Sequence, residues 1–310
     1  MEQSRRDFLK KTAFAAMGAG LLPGLACQSN EKKLFFEISL AEWSLHRTLR
    51  AGKLDNLDFA ATAKNEFGID IIEYVNQFFK DKAEDTAYLK DLLQRSKDNG
   101  VRNHLIMIDG EGGLGDTDDA ARTQAVENHY KWVEAAKFLE CETIRVNAYG
   151  EGSAEDVGAA AVDGLGRLGE FAAKVGINVI VENHGGYSSN GTWLANVMKQ
   201  VNRDNVGTLP DFGNFCVQRD PNDWKICIDE YDRYQGTQEL MPYAKGVSAK
   251  SYDFDEKGDV IETDYYRMLK IVKDAGFKGI IGIEYEGDSV SEYDGIRATK
   301  LALERVGAQI

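Results

Sequence analysis

Cysteine is scarce in this sequence, which has four such residues among 310. No two of them show the Cys-x-x-Cys spacing of a zinc site or a redox motif. Cys27 belongs to a leader described below, and the odd set that remains, Cys141, Cys216 and Cys227, gives no disulfide framework. We therefore interpret these three residues as small packing side chains.

Positive charge is also in short supply. The sequence has 37 Lys and Arg residues against 51 Asp and Glu residues, which gives a formal net charge of −14 at pH 7. So acidic a surface repels nucleic acid and anionic lipid, and we expect no nucleic-acid partner. No local cluster of Lys and Arg marks a phosphate-binding site, which disfavours a phosphorylated substrate.

A membrane-spanning apolar run is missing from the start of the chain, where a shorter run follows basic residues. The twin arginine Arg5-Arg6 and a Phe-Leu-Lys sequence precede a weakly apolar stretch, Thr12–Leu22. This order resembles a twin-arginine (Tat) export signal, and the stretch is too short to span a membrane as a helix. An amphipathic first helix of the folded domain is the alternative. We expect residues 1–27 to be a signal peptide and the protein to be exported.

Cys27 ends this leader directly after Leu25-Ala26, an arrangement similar to the lipobox of bacterial lipoproteins. Gly24 departs from that motif. Cleavage near Ala26 without lipidation, or a cysteine with no special role, are the alternatives. We therefore expect a periplasmic protein or one that is lipid-anchored at the cell envelope, with no membrane insertion beyond that anchor.

From residue 28 onward, apolar strand-like runs alternate with amphipathic helical stretches. The predicted strands are Leu34–Leu40, Ile69–Tyr74, Val101–Ile108, Thr143–Val146, Ile177–Glu182, Val206–Asp211, Ala244–Lys250 and Gly279–Glu284. Glycines at 68, 100, 176 and 276 stand between a helix and the next strand, where left-handed caps release the chain. Eight such units predict an α/β fold, a single (β/α)₈ TIM barrel over residues 28–310. A doubly wound open sheet has the same local pattern, but no Gly-rich phosphate motif follows the first strand.

Three carboxylates close apolar strands of this pattern. Glu182, Asp211 and Glu284 each stand where a barrel strand ends, so we expect their side chains to meet at the mouth. Three carboxylates within a few ångströms repel one another unless a cation lies between them. Oxygen ligands of this kind suit a hard divalent metal, Mn²⁺ or Mg²⁺. Asp211 has a second interpretation as a helix N-cap.

Further polar and aromatic residues occupy strand ends, and we expect them to contact a substrate. They are Trp43, Glu73, Asn147, His184, Asn214 and Lys250. For Glu73 and Asn147 a structural hydrogen bond is an equal alternative, as is a loop hydrogen bond for His184. We expect His104 in the core and His129 on the surface of a helix.

Four motifs carry a resemblance to a known family. Val-Glu-Asn-His at the fifth strand, Asp-Phe-Gly-Asn at the sixth, Ser-Ala-Lys-Ser at the seventh and Gly-Ile-Glu-Tyr-Glu-Gly at the eighth are similar to the xylose-isomerase-like TIM barrels, the sugar phosphate isomerases and epimerases. The resemblance implies one divalent metal bound by Glu, Asp, His and Glu. These positions fall on Glu182, Asp211, Ser248 and Glu284, so Ser248 stands where the family has histidine.

The resemblance also implies a metal-dependent sugar isomerase or epimerase acting on a small carbohydrate or glycoside. Glu182 and Glu284 would remove and return a proton next to a carbonyl group. A lyase that cleaves 3-keto-glycosides by β-elimination at the same site is an alternative. A non-catalytic sugar-binding barrel is another, with Ser248 as its main support. Oligomers are possible in each case.

Overall fold

The computed structural model of the protein describes residues 33–310. The predicted export signal and Cys27 lie outside the described residues. No helix of the described part combines the length and the apolar character needed to cross a bilayer.

Eight parallel strands form one sheet around a central axis. They are β1 (Glu37–Ala41), β2 (Ile71–Val75), β3 (Arg102–Met107), β4 (Thr143–Val146), β5 (Asn178–Glu182), β6 (Val206–Leu209), β9 (Val247–Ser251) and β10 (Ile280–Tyr285). Their order is β6-β5-β4-β3-β2-β1-β10-β9. Each lies at a predicted position, so the strand prediction is confirmed.

The edges of this sheet, β6 and β9, meet just beyond the end of β6. The Phe212 N–H donates to the Ser248 carbonyl at 3.0 Å, and the Ser248 N–H donates to the Pro210 carbonyl at 2.9 Å. Asp211 and Ser248 are thereby paired in parallel. This seam turns the sheet into a nearly closed (β/α)₈ barrel and removes the open-sheet alternative.

Helices follow the strands and cover the outside of the barrel. They span His46–Arg50, Phe59–Phe67, Thr86–Asp98, Asp119–Phe138, Ala154–Ala173, Gly191–Val201, Arg233–Leu240, Tyr265–Asp274 and Glu292–Gly307. Gly68 caps the second of these with a φ of 64° in the left-handed region, as predicted. Arg233–Leu240 was not predicted, because its sequence RYQGTQEL has too few apolar residues to show a helical period.

Apolar side chains fill two separate spaces. The larger core lies between the strands and the helices. The smaller one is formed by Ala41, Val75, Leu105, Met107, Ile180 and Leu209, with Trp43 and Phe78 packed against it. These strand residues form a small apolar core inside the barrel, against which the polar groups of the mouth pack.

A hairpin interrupts the regular pattern after β6. Its strands β7 (Cys216–Arg219) and β8 (Cys227–Glu230) are antiparallel, and a disulfide joins Cys216 to Cys227. The packing interpretation was therefore wrong for these two cysteines, whereas Cys141 is free and buried. The short polar segment around them gives no strand signal, so the sequence did not show that the two residues face each other.

His129 also differs from expectation. It lies on Asp119–Phe138 but is only 2% exposed, and its Nδ1 lies 2.7 Å from the Ala125 carbonyl, a distance that requires an N–H donor. The surface assignment was wrong because this helix turns one of its polar side chains toward the barrel wall.

Candidate functional site

The three strand-end carboxylates meet at one mouth of the barrel. Glu182 ends β5, Asp211 follows β6 within the seam, and Glu284 belongs to β10. One oxygen of each lies within 4.8 Å of the others, and none of the three residues is more than 4% exposed. The predicted ligand set is thus brought together in space.

The charge of this cluster is poorly compensated by the protein itself. Burial raises the pKa of Glu182 to about 7, and the Glu284 carboxylate adds to the rise. Burial likewise raises the pKa of Asp211 to about 6 and that of Glu284 to about 7. Glu182 Oε2 and Asp211 Oδ2 are buried and accept no hydrogen bond from residues 33–310. Carboxylate oxygens without donors, converging on one centre, fit a divalent cation.

Lys250 occupies the other side of the cluster. Its buried Nζ lies 3.1 Å from Glu284 Oε1, 3.1 Å from Glu286 Oε1 and 3.9 Å from Asp211 Oδ2. Burial would lower the pKa of Lys250, but these carboxylates outweigh it and raise the pKa well above its usual range. Ser248, at the position of the family histidine, donates its hydroxyl to Glu284 Oε2 at 2.9 Å. The site therefore has a fixed ammonium near its carboxylates.

A second buried cation, Arg145, stands beside Glu182. Its Nη1 donates to Asp109 Oδ1 at 2.8 Å, and its Nε lies 2.9 Å from Glu182 Oε2. The Nε–H does not point at that oxygen, so this contact is an ion pair without a hydrogen bond. Burial would raise the pKa of Asp109, but the Arg145 guanidinium holds it well below its usual range.

Charge at the mouth is negative even with both cations counted. Ionised, five carboxylates and two cations leave a formal charge of −3 at this end of the barrel. They are Asp109, Glu182, Asp211, Glu284 and Glu286, with Arg145 and Lys250. A divalent cation would reduce this excess, which is the second reason why the residues present fit one.

His184 ends a chain of hydrogen bonds that fixes its tautomer. Asn147 Nδ2 donates to Asp109 Oδ1 at 2.7 Å, so Asn147 turns its carbonyl oxygen to His184 Nδ1, 3.0 Å away. The Tyr149 hydroxyl donates to the His184 carbonyl at 2.7 Å and lies 2.6 Å from the same Nδ1. Nδ1 therefore carries the proton, and Nε2 retains its lone pair.

The imidazole of His184 is also held neutral. Burial, followed by the positive charges of Arg145 and Lys250, lowers its pKa to about 3. Its nitrogens do not belong to the group of three carboxylates. His184 is thus placed as a neutral hydrogen-bond acceptor at the edge of the site.

The other predicted contacts divide into two groups. Asn214 belongs to the site, since its Nδ2 donates to Glu182 Oε1 at 3.0 Å and its backbone N–H donates to Asp211 Oδ1 at 2.8 Å. Trp43 stands at the rim, with its ring stacked on His46 at 5.0 Å and near Phe78 at 6.1 Å. Both residues are therefore near the mouth, Asn214 as a partner of the carboxylates.

Glu73 lies deeper, inside the barrel. It is 1% exposed, accepts a hydrogen bond from Ser39 Oγ at 2.5 Å and stands against the backbone of Gly282, two residues before Glu284. The structure thus gives it the structural hydrogen bond rather than a place beside the three carboxylates. Its position in the middle of β2, and not at the strand end, is the reason.

Two carboxylates of the site received no specific role from the sequence. Glu286 follows Glu284 by two positions and so shares its face of the strand, which was an available signal. Asp109 ends the third predicted strand but had no motif around it. The sequence did not show which cation pairs with each carboxylate. Lys250 contacts Glu286, and Arg145 contacts Asp109, each from a neighbouring strand.

Comparisons with known proteins agree with the barrel fold. The model of the family described as xylose isomerase-like TIM barrel matches residues 59–306. The comparison with curated proteins yields no match. Solved structures with the same fold include the IOLI protein with a bound zinc atom (15% identity, TM-score 0.68, 88% of this chain and 98% of that one).

Two further structures are sugar enzymes by name. One is 3-keto-D-glucoside 4-epimerase from E. coli in its apo form, with 14% identity, a TM-score of 0.64, and coverage of 88% of this chain and 99% of that one. The other is a sugar phosphate isomerase/epimerase from Parabacteroides distasonis, with 16% identity, a TM-score of 0.62, and coverage of 88% and 95%. At these identities the likeness shows the fold alone. Together with the family match over most of its length, it establishes that the chain belongs to the xylose isomerase-like TIM barrel family.

Proposed function

We propose that this protein is a sugar isomerase or epimerase that transfers a proton at a carbon next to a carbonyl group. The observation that carries the proposal is the pair Glu182 and Glu284, which face one centre from β5 and β10 with the seam strands between them. Two carboxylates placed in this way can reach a bound substrate from two sides. Membership of the family and the likeness to a 3-keto-D-glucoside epimerase support this choice.

Each of the two carboxylates is held by groups of the chain. Glu182 accepts from Asn214 and pairs with Arg145, while Glu284 accepts from Ser248 and pairs with Lys250. Such contacts fix the direction of each oxygen, which proton transfer requires. Removal of a proton by one carboxylate and its return by the other inverts a carbon. Removal and return by a single carboxylate between adjacent carbons interconverts an aldose and a ketose.

We propose that Glu182, Asp211 and Glu284 hold a divalent cation, Mn²⁺ or Mg²⁺, because all three ligands are carboxylate oxygens. Bound there, the cation would polarise the substrate carbonyl and acidify the adjacent C–H group. Lys250 and Arg145 contribute fixed positive charge, which stabilises an oxyanion that develops near them. The Nε2 lone pair of His184 accepts a hydrogen bond from a substrate hydroxyl.

Cleavage of a 3-keto-glycoside is the second candidate. Removal of the proton next to the ketone is the same first step; the C–O bond at the β position then breaks, and the aglycone leaves as an alcohol after it takes up a proton. A neutral cleft beside Tyr149, described below, gives such a leaving group a place to lie. A decayed, non-catalytic sugar binder is disfavoured by the retention of all three buried carboxylates.

Isotope exchange tests both candidates in one experiment. Purified protein with Mn²⁺ is incubated in D₂O with D-fructose and with methyl 3-keto-glucosides, and proton NMR follows the products. An isomerase or epimerase incorporates deuterium, a lyase releases methanol, and Glu182→Gln or Glu284→Gln abolishes either signal. Glu256→Gln, at an exposed loop carboxylate, is the matched control. Absence of both signals in the wild type would leave the sugar binder.

Export from the cytoplasm is also a proposal. The twin-arginine leader supports it, and so does the partly exposed disulfide between Cys216 and Cys227, since disulfides persist in oxidising compartments. Such a location suits an enzyme that acts on scavenged, unphosphorylated sugars or glycosides.

A further inference from the structure

A cleft with a volume of about 310 Å³ opens beside His184, outside the group of carboxylates. Three segments form its walls: the loop after β4, the loop after β5, and the first strand of the hairpin. Its lining residues are Ala148, Tyr149, Gly150, Gly185, Gly186, Tyr187, Val217 and Gln218. The volume lies at the lower end of the range for small-molecule sites, which is enough for one ring.

Tyr149 joins this cleft to the site. Its hydroxyl is held by His184 at both the ring nitrogen and the backbone carbonyl, while its ring lines the cleft and is 42% exposed. The ring also lies roughly parallel to that of His184, with centroids 6.1 Å apart and 26° between the planes, and this stacking orients its face. A fixed aromatic face at the edge of a catalytic centre is suited to stacking against a flat or ring-shaped group.

The described lining of the cleft is uncharged. Among the residues that the structure describes, those that line the cleft include no Asp, Glu, Lys or Arg, in a molecule whose formal charge is −14. A phosphate or a uronate would find no cation there, and an amine would find no carboxylate. The occupant that matches this lining is neutral. Its hydroxyl or amide groups would form hydrogen bonds with the backbone of Gly185 and Gly186 and with the side chain of Gln218.

The hairpin wall is held in place covalently. Val217 follows Cys216, whose disulfide to Cys227 ties β7 to β8, and the Tyr231 N–H donates to the Phe215 carbonyl at 2.9 Å where the hairpin returns. A wall built from a surface hairpin would otherwise open locally at little cost. The disulfide therefore keeps β7 and β8 together as one wall of the cleft.

We propose that this cleft is a subsite for the second ring of a neutral glycoside, a pyranose or an aromatic aglycone, attached to the sugar that lies at the carboxylates. The inference rests on the proposed function and narrows its substrate class. Free monosaccharides and sugar phosphates leave the cleft empty or mismatched, whereas disaccharides and aryl glycosides fill it.

The test compares substrates that differ only in the second unit. The probes are methyl and benzyl 3-keto-glucosides of both anomers, whose leaving alcohols have similar acidity, and 3-keto-cellobiose. The wild type should prefer a ring-bearing probe over its methyl counterpart by roughly two- to tenfold in kcat/KM, the range that a single aromatic stacking contact gives. Val217→Trp, which fills the cleft, should remove this preference through KM. Ile226→Trp, at an exposed position of the same hairpin that does not line the cleft, is the control.

Binding keeps the two proposals separable. Saturation-transfer NMR with p-nitrophenyl glucoside, which lacks the reactive ketone, should show contact that Val217→Trp weakens and Ile226→Trp does not. If this binding pattern holds without turnover of any probe, the subsite stands and the proposed reaction fails. Should Val217→Trp misfold, Gln218→Trp fills the cleft from its exposed rim. Equal handling of methyl and ring-bearing probes by the wild type, or a preference that survives the filled cleft, would overturn the subsite.

Discussion

The ammonium group of Lys250 lies 3.1 Å from Oε1 of Glu284, one of the three carboxylates that fit a divalent cation. The protein thus contains a resident positive charge beside the proposed metal ligands. A metal ion bound there would compete with this ammonium for the same negative charge. The competition leads to the first prediction.

Removal of Lys250's charge should strengthen metal binding. Lys250→Met deletes the ammonium, and Ser248→His adds a nitrogen donor, so each should tighten Mn²⁺ binding by about tenfold or more. Ser248→His should at the same time slow turnover, since its ring occupies space open to substrate oxygens. Calorimetric titration of metal-free protein measures the affinities, with Lys53→Met as the exposed-lysine control. No binding in wild type or either variant would show that the barrel works without metal or does not catalyse at all.

The effect of metal on thermal stability should depend on pH. Glu182 and Glu284 have folded-state pKa values raised to about 7, against about 4.3 in an unfolded chain. Their contribution to stability is therefore present at low pH and lost as pH rises from about 4 to 7. A bound cation would offset this loss, because a ligand of the folded state stabilises it by mass action. Addition of MnCl₂ at about 1 mM should therefore raise Tm more at pH 8 than at pH 5.

Glu182→Gln with Glu284→Gln supplies the comparison for this experiment. The double variant removes two of the titrating groups, so the difference between the Mn²⁺-induced Tm shifts at pH 8 and pH 5 should shrink. EDTA-treated samples set the baseline at each pH. A metal-induced shift of equal size at both pH values in the wild type would contradict the assignment of these carboxylates as ligands.

The ring of His184 should remain neutral, with its proton on Nδ1, across the physiological range. Its pKa is lowered to about 3, and the chain through Asn147 to Asp109 dictates the tautomer. Long-range proton–nitrogen NMR of ¹⁵N-histidine protein should show a protonated Nδ1 and a bare Nε2 from pH 5 to 8. Asn147→Asp removes the amide that orients the chain and should disturb this pattern. A wild-type ring that titrates near pH 6.5, or carries its proton on Nε2, would refute the proposed acceptor role.

Loss of the hairpin disulfide should destabilise the protein locally. The bond closes a loop with a sequence separation of 11 residues, for which chain-entropy estimates give about 3 kcal/mol. Cys216→Ser with Cys227→Ser should therefore raise hydrogen exchange in the hairpin while β1 to β5 keep their protection. Peptide mapping without reductant should first recover the two cysteines in one linked peptide. Separate, unlinked peptides would exclude the pairing.

Export should depend on the twin arginine. Arg5→Lys together with Arg6→Lys keeps the charge of the leader but removes the recognised pair, and should retain the protein in the cytoplasm. Lys10→Arg, which leaves the pair intact, is the control, and cell fractionation followed by immunoblotting is the measurement. Normal export of the double variant would reject the Tat interpretation.

The sequence predicted those parts of the molecule that depend on short stretches of neighbouring residues. Strands such as Thr143–Val146 are short apolar runs, and a carboxylate that ends one, such as Glu182, has a single place to go in a barrel. The contacts of Lys250 with Glu286 depend on the stagger between β9 and β10, which no local pattern encodes. The bond between Cys216 and Cys227 depends on a hairpin whose strands lack a hydrophobic period. The buried position of Glu73 could not be predicted either, because the sequence of one strand does not show how far inside the barrel each of its residues lies.

The seam between β6 and β9 pairs Asp211 with Ser248, a predicted metal ligand with the residue that replaces the family histidine. The last backbone contacts that close the ring are thus made by the same residues that shape the site. A chain whose ring is open at this seam would hold Glu182 and Asp211 on one edge of the sheet and Glu284 on the other. Binding of an ion by all three carboxylates would therefore require the closed ring. A bound ion would in turn stabilise the closed ring against opening at this seam.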